Sequence, residues 1–149
     1  MKTILISLLI IIGLSQNTPK LNKQDLIGKW ENVSLTVEMP TYGNSDSTSY
    51  LKAAEGEWEK VLKIKPIQTT FNEDGSFSSS YFDLDNKPMG IEQGTWFIRN
   101  DSLVLVSNNY GSAYKVTISG DKARFKAFLD WDQDGKSDDL YDGWQKRLK

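Results

Sequence analysis

The stretch Ala113-Tyr114-Lys115-Val116-Thr117-Ile118-Ser119-Gly120-Asp121-Lys122-Ala123-Arg124-Phe125-Lys126-Ala127-Phe128-Leu129 decides the fold. In its first half Tyr114, Val116 and Ile118 alternate with Lys115, Thr117 and Ser119. In its second half Phe125, Ala127 and Leu129 oppose Arg124 and Lys126. Side chains on a strand point to opposite faces with a period of two, so each half reads as a strand with one dry and one wet face. Gly120-Asp121 supplies the positive φ that a tight hairpin needs. The same pattern extends outward in both directions. Asn108-Asn109-Tyr110-Gly111 joins this hairpin to a strand over Ser102–Val106, and Arg99-Asn100-Asp101 joins that strand to one over Ile91–Ile98. Asn72-Glu73-Asp74-Gly75 turns a β-branched run over Val61–Phe71 into a strand over Ser76–Leu84. A first strand runs from Leu26 through Val37 and a last from Asp139 to Leu148. The expected fold is all-β. Eight strands joined by short hairpins leave two edges to hide, and closure into an antiparallel up-and-down barrel hides both.

Two irregularities are expected along the strands. Trp30 shares its parity with Asn32, Ser34 and Thr36, whereas Val33, Leu35 and Val37 lie opposite. A one-residue slip flips every side chain, so a bulge is expected there. The apolar parity also shifts at Pro66, which lacks a ladder donor. One connection is long. Glu38–Lys60 contains a polar stretch, then Leu51, Ala54, Trp58 and Val61 at helical spacing, with Ser47, Thr48 or Ser49 as caps. This reads as a lid loop with a short helix over Tyr50–Lys60, between strands one and two.

The first residues read as an export signal. Met1-Lys2-Thr3 precedes the apolar run Ile4–Leu14, and small residues Gly13 and Ser15 stand before a cut at Gln16. The run is too short for a membrane span, which needs about twenty residues. The expected organisation is a signal peptide over residues 1–15, a polar segment over 16–25 and a barrel domain over 26–149. The protein is then extracytoplasmic, either periplasmic or secreted.

Composition narrows the chemistry. The 149 residues include 18 basic and 20 acidic ones, no histidine and no cysteine. Serine–histidine triads, cysteine nucleophiles, histidine- or cysteine-bound zinc and disulfides are all excluded. A formal charge of −2 does not suit a nucleic-acid partner. The pairs Asp83/Asp85 and Glu55/Glu57/Glu59 could supply acid–base chemistry, but solvated surface carboxylates commonly show such spacing, and no enzyme is expected.

The arrangement resembles the lipocalin-like superfamily of small exported barrels. Gly28-Lys29-Trp30 matches that family's Gly-x-Trp on the first strand, the longest loop falls between strands one and two, and Arg147 ends the final strand. The resemblance covers Leu26–Arg147. It implies a barrel that binds a small, partly apolar molecule, and a stacking of Arg147 on Trp30 at the closed end. The absence of the family's disulfide and C-terminal helix points to a shortened, bacterial-style relative.

The strongest chemical motif is Asp130-Trp131-Asp132-Gln133-Asp134-Gly135-Lys136-Ser137-Asp138-Asp139. Carboxylates crowded on alternate residues of a tight loop suit a hard divalent ion, above all Ca²⁺, which takes six to eight oxygens. Position 12 is Tyr141 where an EF-hand needs Glu, and the flanks are strands. The run resembles instead the Asp-x-Asp-x-Asp-Gly-x-x-Asp calcium loops of integrin-type propeller blades. That resemblance implies ligands from Asp130, Asp132, Asp134, the Lys136 carbonyl and Asp138, with Asp139 and Asp142 outside or only partly involved. The competing reading is a solvated acidic turn. Alternate turns of a meander share an end, so this loop joins the lid at one mouth. Tyr42, Trp58, Tyr110 and Trp131 are the candidate ligand-binding residues there, with ordinary core packing as the alternative. An eight-stranded barrel holds either side chains or one small ligand, so a structural or interaction domain with a filled interior stands as the alternative to a binding protein.

Overall fold

The computed structural model describes residues 20–149, and the expected signal peptide lies outside them. Nine antiparallel strands follow a short N-terminal helix, α1 (Lys23–Leu26). They are β1 (Gly28–Met39), β2 (Ser49–Ala53), β3 (Gln68–Phe71), β4 (Ser76–Phe82), β5 (Pro88–Arg99), β6 (Ser102–Ser107), β7 (Gly111–Ser119), β8 (Lys122–Leu129) and β9 (Asp139–Arg147). A second helix, α2 (Trp58–Leu62), lies between β2 and β3. The sheet order is β2-β1-β3-β4-β5-β6-β7-β8-β9, and β1 also pairs with β9. β1 and β3 to β9 therefore close into the expected eight-stranded barrel, with β2 as an additional strand on β1.

β1 changes partner halfway along. Gly28–Glu31 pairs with β3, and Leu35–Met39 pairs with β2. Its other edge follows β9 from Trp30↔Arg147 to Glu38↔Leu140, with a register shift between Asn32 and Ser34. This bulge resolves the parity conflict: Trp30 and Asn32 are buried before it, and Leu35, Val37 and Met39 after it.

The β1–β3 connection departs from expectation. Ser49–Ala53 is strand, not helix, and the helix is confined to Trp58–Leu62. Gly56 takes φ 84, and Glu57 caps the helix with no side-chain hydrogen bond, so nothing carries the helix further back. The strand expected over Val61–Phe71 shrinks to Gln68–Phe71. Lys63 adopts the left-handed conformation (φ 59) to end α2, and Pro66 cannot join a ladder. The β-branched residues ahead of Gln68 serve packing instead.

The buried core is one cluster that fills the base of the barrel and continues to Leu35, Val37, Met39 and Trp58. Leu26, Trp30, Phe71, Phe77, Trp96, Leu103 and Phe125 are buried at the base. The Trp30 indole N–H donates to the Leu26 carbonyl at 2.8 Å. The Arg147 guanidinium lies 4.3 Å from the Trp30 ring centre and donates to the Ile27 and Asp25 carbonyls at 2.6 and 2.5 Å. The N-terminal segment is fastened to the turns at this end: the Leu21 N–H donates to Asp101, and the Lys23 ammonium to the Glu73 carbonyl. Leu21 and Leu26 are buried in a segment otherwise rich in polar residues, Lys20, Asn22, Lys23, Gln24 and Asp25. Gly28 has φ 126, and a Cβ on it would stand 2.9 Å from Arg147 Nη1. A side chain there would strain the backbone and have to displace the guanidinium.

Arg147→Ala removes a cation–π contact and two charge-assisted hydrogen bonds, and should lower stability by about 2–4 kcal/mol. Gly28→Ala should cost at least about 1 kcal/mol. Urea unfolding midpoints check both, with an unchanged m-value expected.

Candidate functional site

Above the base, the inward residues change character along three strands. On β1 Trp30 gives way to Asn32, on β3 Phe71 to Thr69, and on β4 Phe77 to Ser79 and Tyr81. These smaller or polar side chains leave a cavity of about 440 Å³. Tyr114 of β7, Tyr141 of β9 and Leu105 of β6 complete its far wall, while Trp58 and Leu62 of α2 with Ile64 and Ile67 cover the near one. The volume lies in the range of small-molecule sites. No lysine, arginine, aspartate or glutamate lines it.

Four phenols face this space. Burial pushes the hydroxyls of Tyr81, Tyr110, Tyr114 and Tyr141 up from their ordinary value of 10, helped for Tyr81 by Glu92 and for Tyr110 and Tyr141 by Tyr114. They are neutral donors and acceptors. The Thr69 and Ser79 hydroxyls bond each other at 2.8 Å. Tyr114 packs edge-on against Tyr141 at 6.1 Å, and Trp131 stacks on the opposite side of the set, 5.9 Å from Tyr141 with planes 25° apart. Gly143 makes room for this: a Cβ there would collide with the Tyr141 hydroxyl.

Three of the four expected ligand residues, Trp58, Tyr110 and Trp131, line the cavity. Tyr42 does not. It lies on a short 3-10 turn, Tyr42–Asn44, and is 53 % exposed. Tyr81, Tyr114 and Tyr141 escaped the sequence reading as ligand residues, though for Tyr114 the strand alternation already placed it on the dry face.

The acidic loop, residues 130–138, joins β8 to β9 at the same end. One carboxylate oxygen from each of Asp130, Asp132 and Asp139 lies within 4.8 Å of the other two. Of the expected metal ligands, the structure thus gathers Asp130 and Asp132, and adds Asp139. Asp134 faces other partners. Its oxygens accept from the Thr41 hydroxyl at 3.0 Å, the Lys136 N–H at 2.8 Å and the Lys136 ammonium at 3.4 Å, and these donors hold its carboxyl below the usual range. Asp138 is not within that trio, and its Oδ1 is buried without a hydrogen-bond partner. Asp142 points away, paired with Arg124 at 2.8 and 2.6 Å. Asp132 also accepts from the Gly43 N–H at 3.2 Å, so the β1–β2 connection touches the acidic loop at two points.

The carboxylates considered for acid–base work do not assemble a site. Asp83 uses one oxygen to accept from the Asp85 and Lys87 N–H groups in the β4–β5 turn. Glu55 and Glu59 pair with Lys122 and Lys65 on the surface. No helix among the described residues is long and apolar enough to cross a membrane.

No family model matches the chain, and no curated protein matches it. Among solved structures, a lipocalin-like protein from Bacteroides uniformis is similar, with 14 % identity and a TM-score of 0.48, over 83 % of this chain and 99 % of that one.

The cavity phenols give a direct readout. Their raised ionisation means that the folded state resists phenolate formation, so stability holds below pH 10 and falls as pH rises above it. In an ultraviolet alkaline titration, Tyr81, Tyr110, Tyr114 and Tyr141 should ionise together with unfolding, and Tyr110→Phe should remove one phenol from that step.

Proposed function

We propose that the chain is an exported, non-enzymatic binding protein that takes one small, uncharged, partly apolar molecule into the barrel, with a divalent cation, Ca²⁺, held in the β8–β9 loop. The cavity carries this reading. It combines aromatic and aliphatic walls with hydroxyls and an amide, and it offers no charge to neutralise a charged guest. A charged ligand would be desolvated there without a partner. The same lining supports binding over catalysis, because it holds no carboxylate or amine to move a proton at neutral pH and the chain has no histidine or cysteine. The cavity also favours a binding protein over a structural domain with a filled interior. Export rests on Met1–Ser15.

An uncharged environment-sensitive dye should bind one per chain. Ser79→Phe, which projects a ring from β4 into the cavity, should weaken it at least tenfold while the melting transition is retained. Native mass spectrometry of protein from its own host should show a retained neutral mass. Absence of both dye binding and retained mass would refute the reading. N-terminal sequencing of the exported product should begin at Gln16.

A further inference from the structure

We infer that the cation is held by Asp130, Asp132 and Asp139, and that its binding is coupled through Trp131 to occupation of the barrel cavity. The inference rests on the cavity reading above and adds a ligand set and a route of coupling.

Burial carries the first half. Asp139 is 1 % exposed. Its Oδ2 accepts the Trp131 and Asp132 N–H groups at 2.6 and 3.1 Å, but its Oδ1 is buried and accepts nothing. A carboxylate in that position is costly without a counter-charge. Among the described residues no lysine or arginine forms an ion pair with Asp130, Asp132 or Asp139; the loop's own Lys136 pairs with Asp134, and Arg124 and Lys126 pair with Asp142. Two further carboxylates converge on Asp139 instead. Three anionic oxygens without a protein cation are the donor set of a hard divalent ion, completed by backbone carbonyls or water.

Chain connectivity carries the second half. Trp131 is the residue between two of the three ligands, and its own N–H is held by the third. Its indole stacks on Tyr141 and lines the cavity. A cation that fixes Asp130, Asp132 and Asp139 fixes both flanks of Trp131, and so sets one wall of the cavity. A ligand packed on Trp131 favours the same arrangement in return, because coupling between two sites is reciprocal.

The test uses Ca²⁺, Tb³⁺ as its luminescent stand-in, and the uncharged dye. The full mature chain should bind one Ca²⁺ with a Kd of about 10⁻⁵ to 10⁻³ M. Asp130→Asn and Asp132→Asn should each weaken it tenfold or more, and Asp139→Asn should abolish it. Asp134→Asn should stay within about threefold, because Asp134 lies outside the trio and is already paired with the Lys136 ammonium. Trp131→Phe should keep Ca²⁺ affinity but lose sensitised Tb³⁺ emission. Dye affinity should rise fivefold or more with saturating Ca²⁺, Ca²⁺ affinity should rise by the same factor with saturating dye, and Trp131→Ala should erase both shifts. No Ca²⁺ binding at 10 mM, or an equal loss in Asp134→Asn, overturns the ligand set. Ca²⁺ binding with dye affinity unchanged overturns the coupling. Failure of the dye to bind in either condition overturns the cavity reading, and the coupling with it, while the cation arm stands on its own variants.

Discussion

Arg147 lying over Trp30 is the contact on which the barrel depends. A sheet of hairpins closes only if its last strand finds its first, and here the two strands meet through the indole, the guanidinium and the space that Gly28 leaves between them. The guanidinium also takes the Asp25 and Ile27 carbonyls at the end of α1, groups that a helix end leaves without partners. One side chain therefore joins strand to strand and plugs the base. Pairing of β1 with β9 extends upward from this point to Glu38 and Leu140, through the shift between Asn32 and Ser34.

Along its axis the barrel is built in two ways. Near the base, large aromatic residues fill the interior, as an eight-stranded barrel of this width allows. Nearer the mouth, the same strands place asparagine, threonine, serine and tyrosine inward, and the interior stays hollow. Stability and function are thus separated by height within one sheet. Substitutions at the base act on closure, whereas those near the mouth act on what the cavity accepts.

Much of this was legible before the structure. Hairpin turns such as Asn72–Gly75 and Gly120-Asp121 mark themselves by residues that tolerate positive φ, and Gly28, Trp30 and Arg147 mark the base. The broken parity around Val33 announced the bulge. Less legible was the segment from Ser49 to Ile67. There Leu51, Ala54, Trp58 and Val61 mimic helical spacing while Ser49–Ala53 gains its ladder from β1, a long-range partner that local sequence does not reveal. Asp139 was obscured for a similar reason. In sequence it is the second of two aspartates at the start of a strand. Only the path of the β8–β9 loop shows that it lies beneath Trp131 and Asp132, holding their N–H groups.

The partner change in β1 has a mechanical consequence. From Leu35 upward its free edge is taken by β2, so the side of the barrel facing α2 has no continuous ladder. That wall is made of the Trp58 and Leu62 side chains and the chain leading into β3, tied to the sheet by the Asn32-to-Ile67 and Lys65-to-Phe82 main-chain bonds. Elsewhere, parting the staves means breaking rows of cooperative bonds. On this side the wall holds by packing around the buried Trp58 and by those two bonds, so its closure depends on side-chain volume more than on a ladder.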